Sequence, residues 1–349
     1  MSLTSSYSGS ARSWRAIVSP YERRSDARAM LQLATTSVLL GIVFVTTARA
    51  TLSWPWLCVP LAIPAGLLLV RMFIIMHDCA HGSFLSSRRV NDAVGWACGV
   101  LTMTPYAQWR RDHALHHASS GDLDRRGHGD VKTLTVSEYR ASSRGTRWRY
   151  RAMRHPAVLL GLGPLHLMFT QRIRPPGTPL SDPQTRSVWS TNVGIAITAT
   201  LAWWLFGVRA LVLVYLPSIY FAAAVGIWLF YVQHQFEETY WVPHSQWDYL
   251  SASIRGSSYL RLPRLLAWFT GDIGVHHVHH LSPRIPNYRL RRCHDENAIF
   301  HDVTTLRIRD TWRLFRLALW HDDRRCLVSF ADAERFQPAT RTIPSRPSL

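Results

Sequence analysis

Residues 60–81 read PLAIPAGLLLVRMFIIMHDCAH, and this stretch decides the fold because an apolar run passes directly into a pair of histidines. Apart from Arg71, the run over residues 51–76 carries no charge. A helix needs about 20 predominantly apolar residues to cross a bilayer. The stretch therefore predicts a membrane-spanning helix that leads into His77 and His81.

Three further uncharged runs cover residues 30–48, 188–208 and 210–232. Each is long enough to span a membrane, and the runs pair along the chain around Arg49 and around Arg209. We predict an all-α integral membrane protein with four transmembrane helices in two hairpins. Shorter apolar stretches, at residues 93–103 and 156–170, are expected to lie in the interface or to dip into the bilayer.

The distribution of positive charge predicts the orientation. The net charge is +18, with Lys132 as the sole lysine, and most arginines lie outside the hairpin tips. Because cytoplasmic loops carry the excess of basic residues, both termini and both large loops are expected to face the cytoplasm. Basic loops beside apolar runs also explain the charge better than nucleic-acid binding does, so no nucleic-acid partner is predicted.

The domain organisation follows from the same runs. We predict a cytoplasmic segment over residues 1–29, a membrane-embedded domain over 30–330 and a disordered tail over 331–349. The first 29 residues lack the small-residue cleavage site of a secretory signal, so the first run should persist as a membrane helix. The five cysteines are scattered without CxxC spacing, which supports neither a disulfide framework nor a zinc ribbon.

The histidines form three clusters with helical spacing. The first has the form HxxxH and the other two have the form HxxHH, which places ring pairs on one helix face, one turn apart. The members are His77 and His81, then His113, His116 and His117, then His276, His279 and His280. Two histidines on a basic surface are often only solvated, but three such clusters in one chain favour metal binding.

The number of histidines favours two metal ions. Imidazole binds Zn, Cu, Fe and Ni alike, so the ligand type leaves the metal open. A structural zinc has four ligands and a catalytic zinc usually has three, so eight histidines exceed one such site. Iron is the better choice if the chemistry involves oxygen, because zinc has no redox reaction. The clusters can converge only if an even number of spans separates them.

His234 is a candidate ninth ligand, because it ends the fourth predicted span as His77 follows the second. The alternative is an interfacial polar residue. His277 is expected to turn away from the neighbouring ligands, although it could replace His276 in an irregular helix. The remaining histidines lack cluster spacing and are expected on the surface or in packing, namely His128, His155, His166, His244, His294, His301 and His321.

Carboxylates beside the clusters are candidate hydrogen-bond partners for the outer ring nitrogen of each histidine, which is the one that does not bind the metal. Metal-bound histidines usually donate their second ring N–H to a carboxylate or a carbonyl. The candidates are Asp78, Asp112, Asp122, Asp124, Glu237 and Asp272. Surface ion pairs with the many arginines are the competing interpretation.

These motifs resemble those of membrane-bound fatty acid desaturases, particularly the acyl-lipid type found in bacteria. The matching stretches are HDCAHGSF from residue 77, YAQWRRDHALHH from 106, GDLDRRG from 121, YVQHQFEETYW from 231 and GDIGVHHVHHLSPRIPNY from 271. The resemblance runs from about residue 30 to about residue 320. One departure is Asp272, where relatives often carry asparagine.

The resemblance implies a four-span bundle in the bacterial inner membrane, with a cytoplasmic helical cap that holds two irons over an acyl-chain channel. The eight clustered histidines and His234 would be the ligands. O2 and two electrons would introduce a cis double bond into an acyl-lipid substrate, with no protein acid, base or nucleophile. Because no fused haem or iron–sulfur region is visible, we expect a separate electron donor such as ferredoxin.

Two alternatives remain at this stage. Lipid hydroxylases and carotenoid ketolases resemble desaturases in their histidine clusters, and only the product separates these reactions. A membrane metal transporter or sensor belongs to a different class. It would require polar residues inside the spans, whereas the histidines here cluster outside them.

Overall fold

The computed structural model describes residues 11–127, 131–173, 178–179 and 181–335, and this part of the chain is mostly helical. Its α-helices are α1 Ala11–Val18, α2 Asp26–Ser53, α3 Cys58–His81, α4 Arg88–Leu101, α5 Tyr106–Ser119, α6 Val136–Ala141, α7 Arg144–Arg154, α8 Gly163–Thr170, α9 Pro183–Ala210, α10 Leu216–His234, α11 Tyr249–Arg255, α12 Arg264–Phe269, α13 His276–Leu281, α14 Asn287–Glu296, α15 Thr311–Leu314 and α16 Phe330–Arg335.

Three helical stretches are long and apolar enough to cross a membrane, at Asp26–Ser53, Pro55–His81 and Pro183–His234. The first two correspond to the first predicted hairpin. The third is 52 residues long and contains both runs of the second hairpin. Within it the backbone leaves helical geometry at Gly207, with φ 77° and ψ 168°. This glycine therefore stands near the predicted turn at Arg209.

Helix α3 lies at the centre of the apolar helices, in contact with α2, α4 and α10. Its contact with α10 depends on Gly66. A Cβ atom at this position would lie 2.6 Å from Phe221 Cδ1 and 2.8 Å from the Ser218 carbonyl oxygen. Small residues let apolar helices approach closely, so the helix that carries the first histidine cluster is held tightly against α10.

Arg71 is the one charge within the apolar run of α3, and it is buried. Its Nε donates to Thr36 Oγ1 at 3.2 Å, and its guanidinium lies 4.0 Å from the centre of the Trp268 ring. The same guanidinium also donates to the Trp268 carbonyl oxygen. These contacts offset the cost of burying the charge, and they tie α3 to α2 and α12.

Two small sheets correct the all-α prediction. Strands β1 Leu134–Thr135, β4 Leu317–His321 and β5 Cys326–Ser329 form one sheet, in which β1 is parallel and β5 antiparallel to β4. Strands β2 Tyr259–Arg261 and β3 Thr305–Arg307 form a parallel pair. The sequence pattern missed these strands because each has only two to five residues, too few for a periodic pattern to stand out.

The predicted tail falls largely outside the described residues. Helix α16 covers residues 331–335, the first part of the segment, and the structure describes nothing beyond Arg335. The first ten residues of the predicted N-terminal segment also lie outside the described part. Within that part, α1 packs Trp14 and Ile17 against the main apolar core.

Candidate metal centre

The first histidine cluster occupies the last turn of α3. His77 and His81 are one helical turn apart, and their ring centres lie 4.7 Å from each other. The helix ends immediately afterwards, because Gly82 adopts a left-handed conformation with φ 65° and donates its N–H to the Asp78 and Cys79 carbonyl oxygens. Glycine adopts this conformation without steric cost.

The second and third clusters approach the first on separate helices. Helix α5 carries His113, His116 and His117, and the six-residue helix α13 carries the third cluster. A loop with left-handed residues at Gly271 and Asp272 leads into α13. A Cβ at Gly271 would lie 2.8 Å from Ile74 Cγ2, so this loop passes close to α3.

Five histidines from the three clusters form one group, whose ring nitrogens lie within 4.8 Å of one another. They are His77, His81, His113, His117 and His279. The Nε2 atom of His279 lies 3.1 Å from that of His77 and 3.0 Å from that of His117. His117 Nε2 also lies 3.0 Å from His113 Nε2. These nitrogens therefore face a common space.

A second group adjoins the first and includes the candidate ninth ligand. Ring nitrogens of His116, His234 and His280 lie within 4.8 Å of one another. The Nε2 atom of His234 is 3.3 Å from His116 Nε2 and 3.0 Å from His276 Nε2. The structure thus brings eight of the nine sequence-predicted histidines into two adjoining groups, and the ninth, His276, contacts His234 of the second group.

Two outer ring nitrogens have oxygen partners that orient the rings. His77 Nδ1 lies 3.1 Å from Asp78 Oδ1, while Asp78 Oδ2 accepts hydrogen bonds from the backbone N–H and the side-chain amide of Asn287. His234 Nδ1 lies 3.1 Å from the Gly256 carbonyl oxygen. An N–H on Nδ1 leaves the Nε2 lone pair free for a cation.

Burial lowers the pKa of several clustered histidines. Burial, and then the neighbouring histidines, lower the pKa of His113, His117 and His279 well below the ordinary value. The same causes lower the pKa of His276 and His280. A neutral imidazole is the form that binds metal, so the surroundings favour the state that a metal site requires.

The two groups fit two metal ions. Two nitrogens that bind one ion at right angles, each at roughly 2.1 Å, lie about 3.0 Å apart, and the spacing between facing Nε2 atoms is 3.0–3.3 Å. Buried Nε2 atoms of His81 and His280 have no hydrogen-bond partner within the described part of the chain. A cation in each group would satisfy these nitrogens.

His277 points away from both groups, as the helical spacing predicts. Its Nε2 lies 3.2 Å from His294 Nδ1, and the Nε2 of His301 lies 3.1 Å from the His294 carbonyl oxygen. Burial lowers the pKa of His277 to about 3. His155, His166, His244 and His321 are likewise outside the two groups, and His128 lies outside the described residues.

The six candidate carboxylates have different surroundings. Asp78 contacts the ring of His77. Asp122 and Asp124 instead contact His244, through its Nδ1 and its backbone N–H, while Asp272 pairs with Arg291 at 2.6 Å. The side chains of Asp112 and Glu237 are exposed.

Three contacts to the groups were not singled out from the sequence. Trp109 stacks on His113 with ring centres 4.3 Å apart, and the i, i+4 spacing could have indicated this contact. Phe230 packs against His116 and, one turn along α10, against His234. Asn287 reaches Asp78 across 209 residues, and no local pattern predicts such a contact.

Comparison with known proteins shows similarity to one protein family over most of the chain. The family model described as fatty acid desaturase matches residues 54–309, which include all three clusters and His234. A fatty acid desaturase of Bacillus subtilis is 38% identical over 315 residues, covering 90% of this chain and 89% of that protein.

Two proteins of a Synechocystis strain are also similar. The sn-1 oleoyl-lipid 12-desaturase is 29% identical over 273 residues, covering 73% of this chain and 70% of that protein. The sn-1 acyl-lipid omega-3 desaturase (ferredoxin) is 26% identical over 269 residues, covering 73% of this chain and 71% of that protein.

Proposed function

The chain belongs to the fatty acid desaturase family, and we propose that it is an acyl-lipid desaturase that inserts a cis double bond into a lipid-bound acyl chain. Two hydrogens leave neighbouring methylene groups, and O2, two electrons and two protons are consumed to give two waters. The observation that carries this proposal is the pair of adjoining groups of ring nitrogens at the ends of α3 and α10.

We assign two irons to the two groups. The five-histidine group would hold one iron, and His116, His234 and His280 would hold the other, with His276 beside them. When bound, the irons supply the activation of O2 that an unactivated methylene pair requires. The protein supplies binding, orientation and exclusion of water, and no protein acid, base or nucleophile is assigned.

Asp78 is assigned to orient His77, and the Gly256 carbonyl to orient His234. Each oxygen accepts from Nδ1 and so directs Nε2 into the site. Asn287 in turn holds Asp78 through two hydrogen bonds of 2.6 and 2.8 Å. A carboxylate held in this way keeps the ring in one tautomer and one orientation.

Aromatic side chains beside the histidines are assigned to the acyl-chain passage. Phe73 packs edge-on against Trp109, which stacks on His113, and Phe230 packs against His116. These rings exclude water from one side of the site. Neighbouring methylenes are chemically alike, so the choice of bond must come from how such walls position the chain.

We propose four spans, with Gly207 at the tip of the second hairpin. This arrangement brings the ends of α3 and α10 to one side of the membrane, where His77 and His234 meet the same site. The excess of arginines in the termini and in the large loops supports a cytoplasmic site at the bacterial inner membrane, under a cap formed by the segments between and after the hairpins.

A separate electron donor, of the ferredoxin type, is part of the proposal. One relative carries ferredoxin in its name. The five cysteines of this chain show no CxxC spacing of the kind that binds iron–sulfur clusters. The net charge of +18 suits an acidic carrier, which electrostatic attraction would steer to the protein.

The test is expression in a host that makes saturated and monounsaturated lipids and supplies reduced ferredoxin, followed by lipid analysis. The wild type should add a new double bond, whereas His116→Ala should add none. His155→Ala, which alters an exposed histidine outside both groups, is the matched control and should act like the wild type. An oxygenated product without a double bond would contradict the desaturase assignment.

A further inference from the structure

Helix α7 carries five arginines in eleven residues, RGTRWRYRAMR, and two of them are engaged within the protein. Buried Arg154 donates to Gln235 Oε1 at 2.9 Å and to the Ala318 carbonyl oxygen at 3.1 Å. Arg151 donates to Tyr139 at 2.6 Å and pairs with Glu334. One face of the helix is thereby fixed to α6, α16, strand β4 and the segment that follows α10.

The other three arginines of α7 lack such partners among the described residues. Arg144, Arg147 and Arg149 form no ion pair with a carboxylate in the described ranges. Lys132, the sole lysine of the chain, is exposed and likewise has no carboxylate partner there. The surface around α7 therefore presents several positive charges that no carboxylate of the described residues neutralises.

A recess lies beside this helix and combines cationic with apolar walls. It is lined by Lys132, Leu134, Thr146, Arg149, Tyr150 and Met153. Lysine and arginine supply donors for a phosphate, and the threonine hydroxyl adds another. The leucine and methionine side chains suit the carbon atoms attached to such a phosphate.

The outer face of α7 has the character of a membrane-surface helix. Trp148 is 71% exposed, although tryptophan is among the largest apolar side chains. Four residues after α7, an apolar helical stretch begins at Val158 and continues to Thr170, and it exposes Leu162 and Phe169. A basic helix with an exposed tryptophan beside an apolar helix is typical of a segment in the bilayer interface.

We propose that this recess binds the phosphate headgroup of an anionic phospholipid, while α7 lies on the bilayer surface. Lys132 and Arg149 contact the phosphate, and Trp148 inserts among the headgroups. The exposed apolar stretch that follows α7 would lie in the bilayer interface, close to the recess. A lipid of that bilayer can reach the recess directly, and this favours a lipid over an acidic protein. The site is independent of the desaturation reaction.

The test uses the full chain in vesicles of equal parts phosphatidylcholine and phosphatidylglycerol. After extraction in mild detergent, native mass spectrometry counts the lipids that each chain retains. The wild type should retain more phosphatidylglycerol than phosphatidylcholine. Lys132→Gln/Arg149→Gln should lower the ratio of the two retained lipids roughly tenfold, because each basic residue contributes binding free energy at an anionic surface. Added inorganic phosphate should leave the lipid bound.

Two matched double variants remove the same charge elsewhere. Arg144→Gln/Arg147→Gln alters α7 outside the recess, and Arg261→Gln/Arg325→Gln alters exposed arginines on other segments. Both should lower the excess much less than the recess variant does. If all three double variants lost the same amount of phosphatidylglycerol, the effect would come from the overall positive charge of the protein. That result would overturn the proposal.

Two further measurements separate the remaining outcomes. Arg149→Lys retains the charge and should keep most of the phosphatidylglycerol. If Lys132→Gln/Arg149→Gln leaves lipid retention unchanged but weakens the binding of a plant-type ferredoxin, the surface docks a protein and the lipid assignment is wrong. Thermal unfolding in detergent should be nearly the same for all variants, because the altered side chains are exposed except for that of Arg147, which is half-buried.

Discussion

Helix α13 carries four buried histidines, and three of them face the candidate metal centre while the fourth faces the opposite way. His276, His279 and His280 are 4%, 1% and 2% exposed, and His277 is 0% exposed. Burial and residue type therefore do not separate the ligand candidates from their neighbour. The direction of each ring separates them, because a shift of one position turns a side chain by about 100° around the helix.

The two sides of α13 also offer different partners. On the inner side, His279 Nε2 faces the ring nitrogens of His77 and His117. On the outer side, His277 packs between Phe300 and Tyr259 and contacts His294. On the inner side several Nε2 atoms face a common space, whereas on the outer side the Nε2 atom of His277 pairs with a single histidine, His294.

The largest effect is expected from His279→Gln. The ring of His279 faces two other rings, so its removal should lower desaturation by more than about a hundredfold. Changing a residue that only hydrogen-bonds to a ligand usually has a smaller effect. Iron analysis and product analysis on the same preparation would measure it. A variant with full iron and full activity would mean that the inner face of α13 does not bind metal.

His234→Gln tests the candidate ligand at the end of the apolar helix α10. Because His234 lies in the second group only, we expect the iron content to fall from two towards about one per chain, with loss of activity. Mössbauer spectroscopy of iron-57-loaded protein would show whether the remaining iron is mononuclear. Retention of a coupled iron pair would remove His234 from the ligand set.

Asp78→Asn tests whether the carboxylate that contacts His77 Nδ1 holds the His77 ring in place. The amide keeps the size of the side chain but removes the charge that accepts from His77 Nδ1 and from Asn287. A loss of roughly 10- to 100-fold in iron affinity is expected, with the fold intact. Asp323→Asn, in the exposed turn between β4 and β5, is the control; equal iron affinity in both variants would argue against the assigned role.

His277→Gln should have the smallest effect on activity, although its side chain is the most buried of the four. Glutamine can still hydrogen-bond to His294, so we expect near wild-type turnover and a loss of about 1–3 kcal/mol in stability from altered packing and an imperfect hydrogen bond. Thermal unfolding and iron content would be measured together. If His277→Gln lost iron but kept its stability, His277 would behave as His279 is expected to behave. The contrast between the two sides of α13 would then be wrong.

Much of the candidate site follows from local pattern. The HxxxH and HxxHH spacings place histidines on common helix faces, and the position of His234 at the end of an apolar run indicated its place in the site. The family assignment rests on the same stretches and is confirmed by the comparisons. These features were predictable because spacing along one helix determines which side chains share a face.

Other features depend on contacts between distant segments. Asn287 holds Asp78, and the Gly256 carbonyl receives His234, although neither pair is close in sequence. The small sheets were missed for a similar reason, since β1 pairs with β4 across more than 180 residues. Asp122 and Asp124 lie near a histidine cluster in sequence, yet their partner is His244.

The sequence by itself determined that the chain has long apolar helices and three histidine clusters with helical spacing, because hydrophobic runs and i, i+4 spacing act within single segments. Only the tertiary structure decided which ring nitrogens share a space, how eight histidines divide between two groups with His276 beside the second, and that His277 contacts His294. The physical reason is that a metal site depends on the directions of side chains from several helices, and packing between those helices sets these directions.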